Sequence, residues 1–195
     1  MKKVLNVGGN DRRIPLPPHY QGWEHHLLDI DPRGKPDLLC DARELVKTPA
    51  AQYESVYCSH NLEHYYRHDA VKVLRGFRHV LKPGGFIDVR VPDIGEVLRT
   101  VVGKGMEIDD VLYQSPAGPI TAHDVIYGWG LEIERSGQDF FAHKRGFTPK
   151  SLLKTLNDNG FPYVFMGTGN LEIVAYAFPE EPSREACALL GLSYG

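Results

Sequence analysis

The feature that most constrains this chain is a series of short aliphatic runs, each broken off by residues that favour a turn. Residues 3–7 (KVLNV) run into Gly8-Gly9-Asn10, and 26–30 (HLLDI) carry Asp29 near their end. Residues 37–40 lead to Asp41-Ala42, 55–58 to Ser59-His60, and 86–91 to Pro92. Nearly continuous apolar runs of strand length suit a parallel sheet covered on both faces. A helical pattern over about 69–81 separates the last two runs, with Val71, Leu74, Phe77 and Leu81 at spacings of three and four. Pro83-Gly84-Gly85 is expected to stop it. A second helical stretch spans 148–159, with Pro149 suited to a first turn and Leu152, Leu153 and Leu156 facing inward. Residues 163–166 and 171–178 read as a closing strand pair around the turn residues 167–170. Strands alternating with helices and ending in a hairpin predict an α/β layered fold.

With 195 residues, 42% of them hydrophobic and 24% charged, the chain has the make-up of one folded domain, 1–195. Residues 100–145 break the pattern and are expected to form an insertion or lid of loops and short helices. Residues 180–195 read as a short helix or a loose tail. A net charge of −3 supplies no basic field for a phosphate backbone, so a nucleic-acid partner is not expected. No apolar run approaches membrane-span length, nor does the start resemble a signal peptide, so neither a membrane role nor export is expected. Cys40, Cys58 and Cys187, an odd and widely spaced set, fit a reducing cytoplasm.

The residues at the strand ends carry the chemistry. Glycine lets a backbone approach a ligand closely, and Asp29 follows Gly8-Gly9 at about the spacing of a ribose-binding carboxylate. Asp41 can accept from an exocyclic amine. All of these positions fall where open α/β sheets bind ligands, although glycine and aspartate are also common turn formers.

This ordered set resembles the class I S-adenosyl-methionine-dependent methyltransferases, of the small-molecule or sugar-directed type. Val7-Gly8-Gly9 is similar to that family's first motif, Asp29 to its ribose acid and Asp41-Ala42 to its adenine-contacting pair. Residues 53–64 (YESVYCSHNLEH) resemble its fourth strand and the helix start after it. Leu81-Lys82-Pro83-Gly84-Gly85 resembles the turn before its fifth strand, and 137–148 resemble a segment of its small-molecule members. The resemblance implies a Rossmann-like, mostly parallel seven-stranded sheet with helices on both faces and a C-terminal antiparallel hairpin. It also implies S-adenosyl-methionine as cofactor, held by Gly8, Gly9, Asn10, Asp29, Asp41, Ala42 and Ser59. Two departures stand out. Arg12 occupies a place where the family carries glycine, and is expected at the cofactor's methionine end. Residues 31–36 are too few for a crossover helix, which is expected to be lost.

For methyl transfer to a hydroxyl, His60 and His143 are the candidate bases, and Tyr127 and Trp129 candidate walls for the acceptor. His25 and His26 are assigned no role. The eroded glycine motif keeps open an alternative, a binding module of the same fold without turnover. His60-Asn61-Leu62-Glu63-His64 also spells H-x-x-E-H, the inverted zinc-hydrolase motif, with His68 a turn later. That motif needs one helix, whereas His60 directly follows a strand, so no residue is assigned to a metal.

Overall fold

A computed structural model describes residues 1–116 and 118–193. The sheet strands are β1 (Lys3–Val7), β2 (Glu24–Asp29), β3 (Leu38–Leu39), β4 (Tyr53–Ser59) and β5 (Leu81–Pro92). Helices α1 (Arg67–Val80) and α2 (Ile94–Lys104) flank β5. Outside the sheet lie β6 (Val111–Ser115), β7 (Gly118–Thr121), α3 (Ala122–Tyr127) and α4 (Gly130–Ser136). Helix α5 (Pro149–Asp158), strands β8 (Tyr163–Gly169) and β9 (Glu172–Phe178), and α6 (Arg184–Leu190) complete the chain. The seven-stranded sheet runs β3-β2-β1-β4-β5-β9-β8; β1 to β5 are parallel and β9 is antiparallel to both its neighbours.

The pleat sorts consecutive residues to opposite faces. Leu5, Ile87 and Ala177 join the larger core, with Val73, Leu74 and Phe77 of α1 and Leu152 and Leu156 of α5. Val4, Phe86 and Phe178 face the other side, where they meet Tyr20, Leu16 and Trp23 from the proline-rich segment and Leu189 and Leu190 of α6. This second face is thus closed largely by a 3-10 turn (Pro18–Tyr20) and a short C-terminal helix. Repeated proline explains why no long helix forms between β1 and β2.

Most boundaries fall within two residues of expectation. The second strand begins earlier, at Glu24, and releases Ile30, which is 46% exposed. The third shrinks to Leu38–Leu39. The crossover between β2 and β3 is only a 3-10 turn, Pro32–Gly34, so the helix expected to be lost is indeed missing there. Pro83-Gly84-Gly85 does not itself stop α1, which ends at Val80 as the chain turns directly into β5. Instead the β4–β5 register slips, and Lys82 to Gly85 bulge out opposite Glu54. Lys82 Nζ lies 2.6 Å from Glu54 Oε1, and the Lys3 amide donates to Oε2 at 2.6 Å. At the hairpin the turn is Asn170-Leu171, both at positive φ, one step beyond the glycines. The stretch expected to begin irregularly at 100 is still helical to Lys104, and it contains an antiparallel hairpin, β6–β7, besides short helices. No helix among the described residues is long and apolar enough to cross a membrane.

Candidate active site

Strands β1, β2 and β4 run the same way, so their last residues, Val7, Asp29 and Ser59, stand along one edge of the sheet. Antiparallel β9 begins at that edge too, because Glu172 pairs with Pro92 at the end of β5. A cavity of about 680 Å³ opens here, lined by Gly8, Asn10, Asp29, Asp41, His60 and Asn61 among others. Residues 139–141 and Lys144, from beyond α4, form its far wall.

Gly8 sits at φ +73°, and a Cβ there would collide with Asn61, 2.6 Å from its Cγ. The glycine therefore makes room for Asn61 as much as for a ligand. Asn10 takes the left-handed conformation (φ 52°) in place of a further glycine, which asparagine tolerates. Asp29 is 8% exposed, and its carboxylate accepts from the Asn10 amide at 3.0 Å and the Asp31 amide at 2.9 Å. Asp41 accepts from the Arg43 amide at 2.9 Å and pairs with the Arg43 guanidinium at 2.6 Å. Burial opposes ionisation of Asp41, but the Arg43 side-chain and backbone bonds outweigh it and hold its pKa below the ordinary value.

His60 donates its backbone amide to Arg90 of β5 at 2.9 Å, then turns the chain at φ 48°. A non-glycine residue in this region stores strain of the sort found at functional sites. Its Nε2 lies 2.9 Å from Glu172 Oε1 and its Nδ1 3.6 Å from Glu63 Oε1. Burial pulls the His60 pKa down, but the Glu172 hydrogen bond and the Glu63 charge outweigh it and raise it to about 10. With 51% of the side chain exposed, water screens part of that effect. The direction nevertheless favours an imidazolium at neutral pH, which orients or attracts rather than abstracts a proton. His60 also borders a second cavity of about 260 Å³ that includes Tyr113, Val125 and Glu172.

His143 is held differently. Its Nδ1 donates to the Val125 carbonyl at 2.8 Å, and burial lowers its pKa in spite of the Glu63 charge. It lines neither cavity, and nor do Gly9, Ala42 and Ser59. Gly9 instead leaves space for the Asn6 side chain, and Ala42 is buried behind Asp41. Arg12 does not reach the cavity, because it turns away to pair with Asp37 and to approach the His25 carbonyl. Tyr127 and Trp129 are absent from both cavity walls; Tyr113 and Val125 stand in the smaller one. Only Leu62–His64 form a 3-10 turn after His60, and α1 begins at Arg67, so the single helix that the inverted zinc motif requires is not formed. His68 borders the larger cavity, with 73% of its side chain exposed.

Several cavity residues escape sequence reasoning. Asn61 lay next to a recognised position. Glu172 becomes visible only through the β5–β9 register, and Phe140, Phe141 and Lys144 only through the folding back of the insertion. Arg33 anchors that insertion: it pairs with Asp31 at 2.6 Å and with Glu132 of α4 at 3.0 Å. The Lys144 and Arg145 amides donate to the Glu63 carbonyl at 2.9 and 3.1 Å.

A sheet of this order, with its cavity at the C-terminal edge of the parallel strands, is the fold of the class I methyltransferases. The PH0226 protein of Pyrococcus horikoshii superposes with a TM-score of 0.57 at 15% identity, over 91% of this chain and 82% of that one. A SAM-dependent methyltransferase of Archaeoglobus fulgidus gives 0.54 at 17% identity, over 90% and 85%. The 1,6-didemethyltoxoflavin-N1-methyltransferase of Burkholderia thailandensis, solved with 1,6-didemethyltoxoflavin and S-adenosylhomocysteine, gives 0.52 at 16%, over 90% and 71%. At these identities the likeness is one of fold. In sequence, residues 25–88 match the family model described as a methyltransferase domain. No curated protein matches the chain. The chain thus shares the fold of these methyltransferases, and residues 25–88 carry the sequence match to a methyltransferase domain.

Proposed function

We propose that the chain is an S-adenosyl-methionine-dependent methyltransferase acting on a small-molecule or sugar-like acceptor. The observation that carries this is the cavity of about 680 Å³ with Asp29 and Asp41 on its wall, at the sheet edge where such folds bind nucleotides. Asn61 adds an orphan: its Oδ1 is buried without a hydrogen-bond partner among the described residues, and the residue lines the cavity, so a ligand donor has a place to go.

The cofactor when bound supplies an electrophilic methyl on a sulfonium; its carbon–sulfur bond breaks as the acceptor bond forms, and the acceptor loses a proton. In this reading the residues mainly position and exclude water. Asp29 accepts from ribose hydroxyls, with Gly8 and Asn10 shaping the loop beside them. Asp41 faces the adenine, with its charge shared by Arg43. His60 stands on the wall between the larger cavity and the smaller one, where an acceptor would enter, and as a cation it would orient an electron-rich acceptor. The segment around 100–145 serves as a lid, docked through Arg33–Glu132 and the Lys144 and Arg145 amides. Three unpaired cysteines suit a cytoplasmic setting.

Calorimetric titration with S-adenosyl-homocysteine tests the reading, and a folded protein giving no heat at millimolar ligand sinks it. Asp29→Ala should weaken binding at least about tenfold, near 1.4 kcal/mol. Asp29→Asn accompanies it, because Asp29 also holds two loop amides. The fixed Asp41–Arg43 pair favours the second reading, a binding module without turnover; binding with no demethylated product across an acceptor panel would select it.

A further inference from the structure

The structure assigns a divalent metal site to Glu63, His64 and His143, at the back of the cofactor-side cavity. One donor atom of each lies within 4.8 Å of those of the other two. Donors bound to a shared ion stand roughly 3–4 Å apart, at bond lengths near 2.0–2.2 Å, so small side-chain rotations close the set. Two histidines and one carboxylate suit Zn²⁺, Mn²⁺ or Fe²⁺ and leave further positions open.

Two independent observations point the same way. Glu63 is 1% exposed, and neither carboxylate oxygen has a hydrogen-bond partner among the described residues. The ring nitrogens His60 Nδ1 at 3.6 Å and His143 Nε2 at 4.0 Å are beyond hydrogen-bond length. The His60 charge faces Oε1, but no hydrogen bond reaches either oxygen, and a buried carboxylate needs direct partners to offset its lost hydration. Secondly, both histidines are set up as ligands. His64 Nδ1 lies 3.2 Å from the Ala142 carbonyl and His143 Nδ1 2.8 Å from that of Val125. Each Nδ1–H donates there, which leaves each Nε2 with a free lone pair, the second-shell arrangement of metal-bound imidazoles. The rings meet edge to face with centroids 4.7 Å apart.

The three residues come from the turn after β4 and from the end of the insertion, so the ion would also fasten the lid. His64 lines the larger cavity while Glu63 and His143 back it, so the open side of the ion faces the ligand. This deepens the methyltransferase reading and rests on it for the consequence: the acceptor atom would be an oxygen, whose proton an adjacent cation makes easier to lose. The site itself stands on the geometry alone.

The test uses the full chain stripped with a chelator and titrated with Zn²⁺ and with Co²⁺, followed by calorimetry and by the visible absorption of Co²⁺. One ion per chain is expected, with affinity falling at least about tenfold in His143→Gln and in Glu63→Gln. His68→Gln, outside the set, should bind like the parent. Circular dichroism checks folding; if Glu63→Gln fails it, His64→Gln takes its place beside His143→Gln. No stoichiometric ion at millimolar metal, or an affinity unmoved by the folded variants, overturns the site. S-adenosyl-homocysteine is titrated into the same metal-free samples. Its failure with the metal site intact sinks the methyltransferase reading alone, and the converse sinks the metal site alone.

Discussion

Gly8→Ala, examined as a cycle with Asn61→Ala, separates two costs that the first glycine turn avoids. Alanine at φ +73° is left-handed, which costs a non-glycine residue about 1–2 kcal/mol. Its Cβ would also collide with Asn61, 2.6 Å from Cγ and 3.0 Å from Cβ, and such overpacking costs about 1–3 kcal/mol. The single variant should therefore lose about 2–5 kcal/mol of unfolding free energy. Asn61→Ala removes the amide, and with it a buried oxygen that has no partner among the described residues. In the double variant the collision shrinks to the Cβ contact, so only the backbone cost of about 1–2 kcal/mol should remain. Urea unfolding of all four proteins, at unchanged m-value, reads the coupling directly, expected at about 1–3 kcal/mol. A coupling below about 0.5 kcal/mol would show that Asn61 is not what the glycine accommodates.

Three further outcomes follow from the packing and charges. Phe77→Ala, at the centre of the larger core and fully buried, should cost about 3–5 kcal/mol in the same assay. Gly128→Ala, at φ +101° with Ala142 Cα 2.9 Å from the added carbon, should raise amide exchange in residues 122–145 while leaving β1, β4 and β5 protected. Glu54 is held below its ordinary pKa of 4.5, since Lys82 and the Lys3 amide outweigh the effect of burial. Its contribution is therefore present above about pH 4.5 and lost as pH falls through the lowered value; Glu54→Gln should cost about 1 kcal/mol at pH 7 and nothing in strong acid, by denaturant titration across pH.

What was legible in the chain was whatever local pattern decides. Residues 3–7 form β1 as read, because an apolar run ends in glycines that can turn. Thr148 caps α5 through the Ser151 amide, with Pro149 in the first turn. Helix α2 was not legible, since Leu98 is 50% and Val102 80% exposed and Val97 alone in it is buried. The Asp93 cap on the Glu96 amide, at 3.2 Å, was the available signal. The β6–β7 hairpin is mostly exposed and lacks the alternation of a half-buried strand. In the site, Asp29 followed from spacing. Glu172 did not, because antiparallel pairing places it; His143 was named as a candidate base, but its place beside Glu63 depends on the return of the insertion, and neither is a local property.

The aspartates hold the deeper ambiguity, because the shortened crossovers give them a second task. Asp11, Asp31 and Asp41 each accept from the amide two residues on, at 2.9 Å, and each pairs with the arginine there, Arg13, Arg33 or Arg43. Asp29 does the same with the amide of Asp31. Asx turns of this kind pin a short loop without a helix, and exposed ion pairs add little beyond that. A helix N-terminus would have supplied free amides at this edge. Here side-chain oxygens consume those amides, so the carboxylates that face the cavity also build it. A strand-end aspartate thus reads alike whether it turns the chain or binds a ligand, and in this fold Asp29 and Asp41 are placed to do both. The separation is experimental: asparagine keeps an oxygen for the amide but loses the charge, whereas alanine loses both. If Asp29→Asn retains the parent's stability and Asp29→Ala does not, the turn depends on the acceptor oxygen. If both lose S-adenosyl-homocysteine affinity to a similar extent, the ligand depends on the charge.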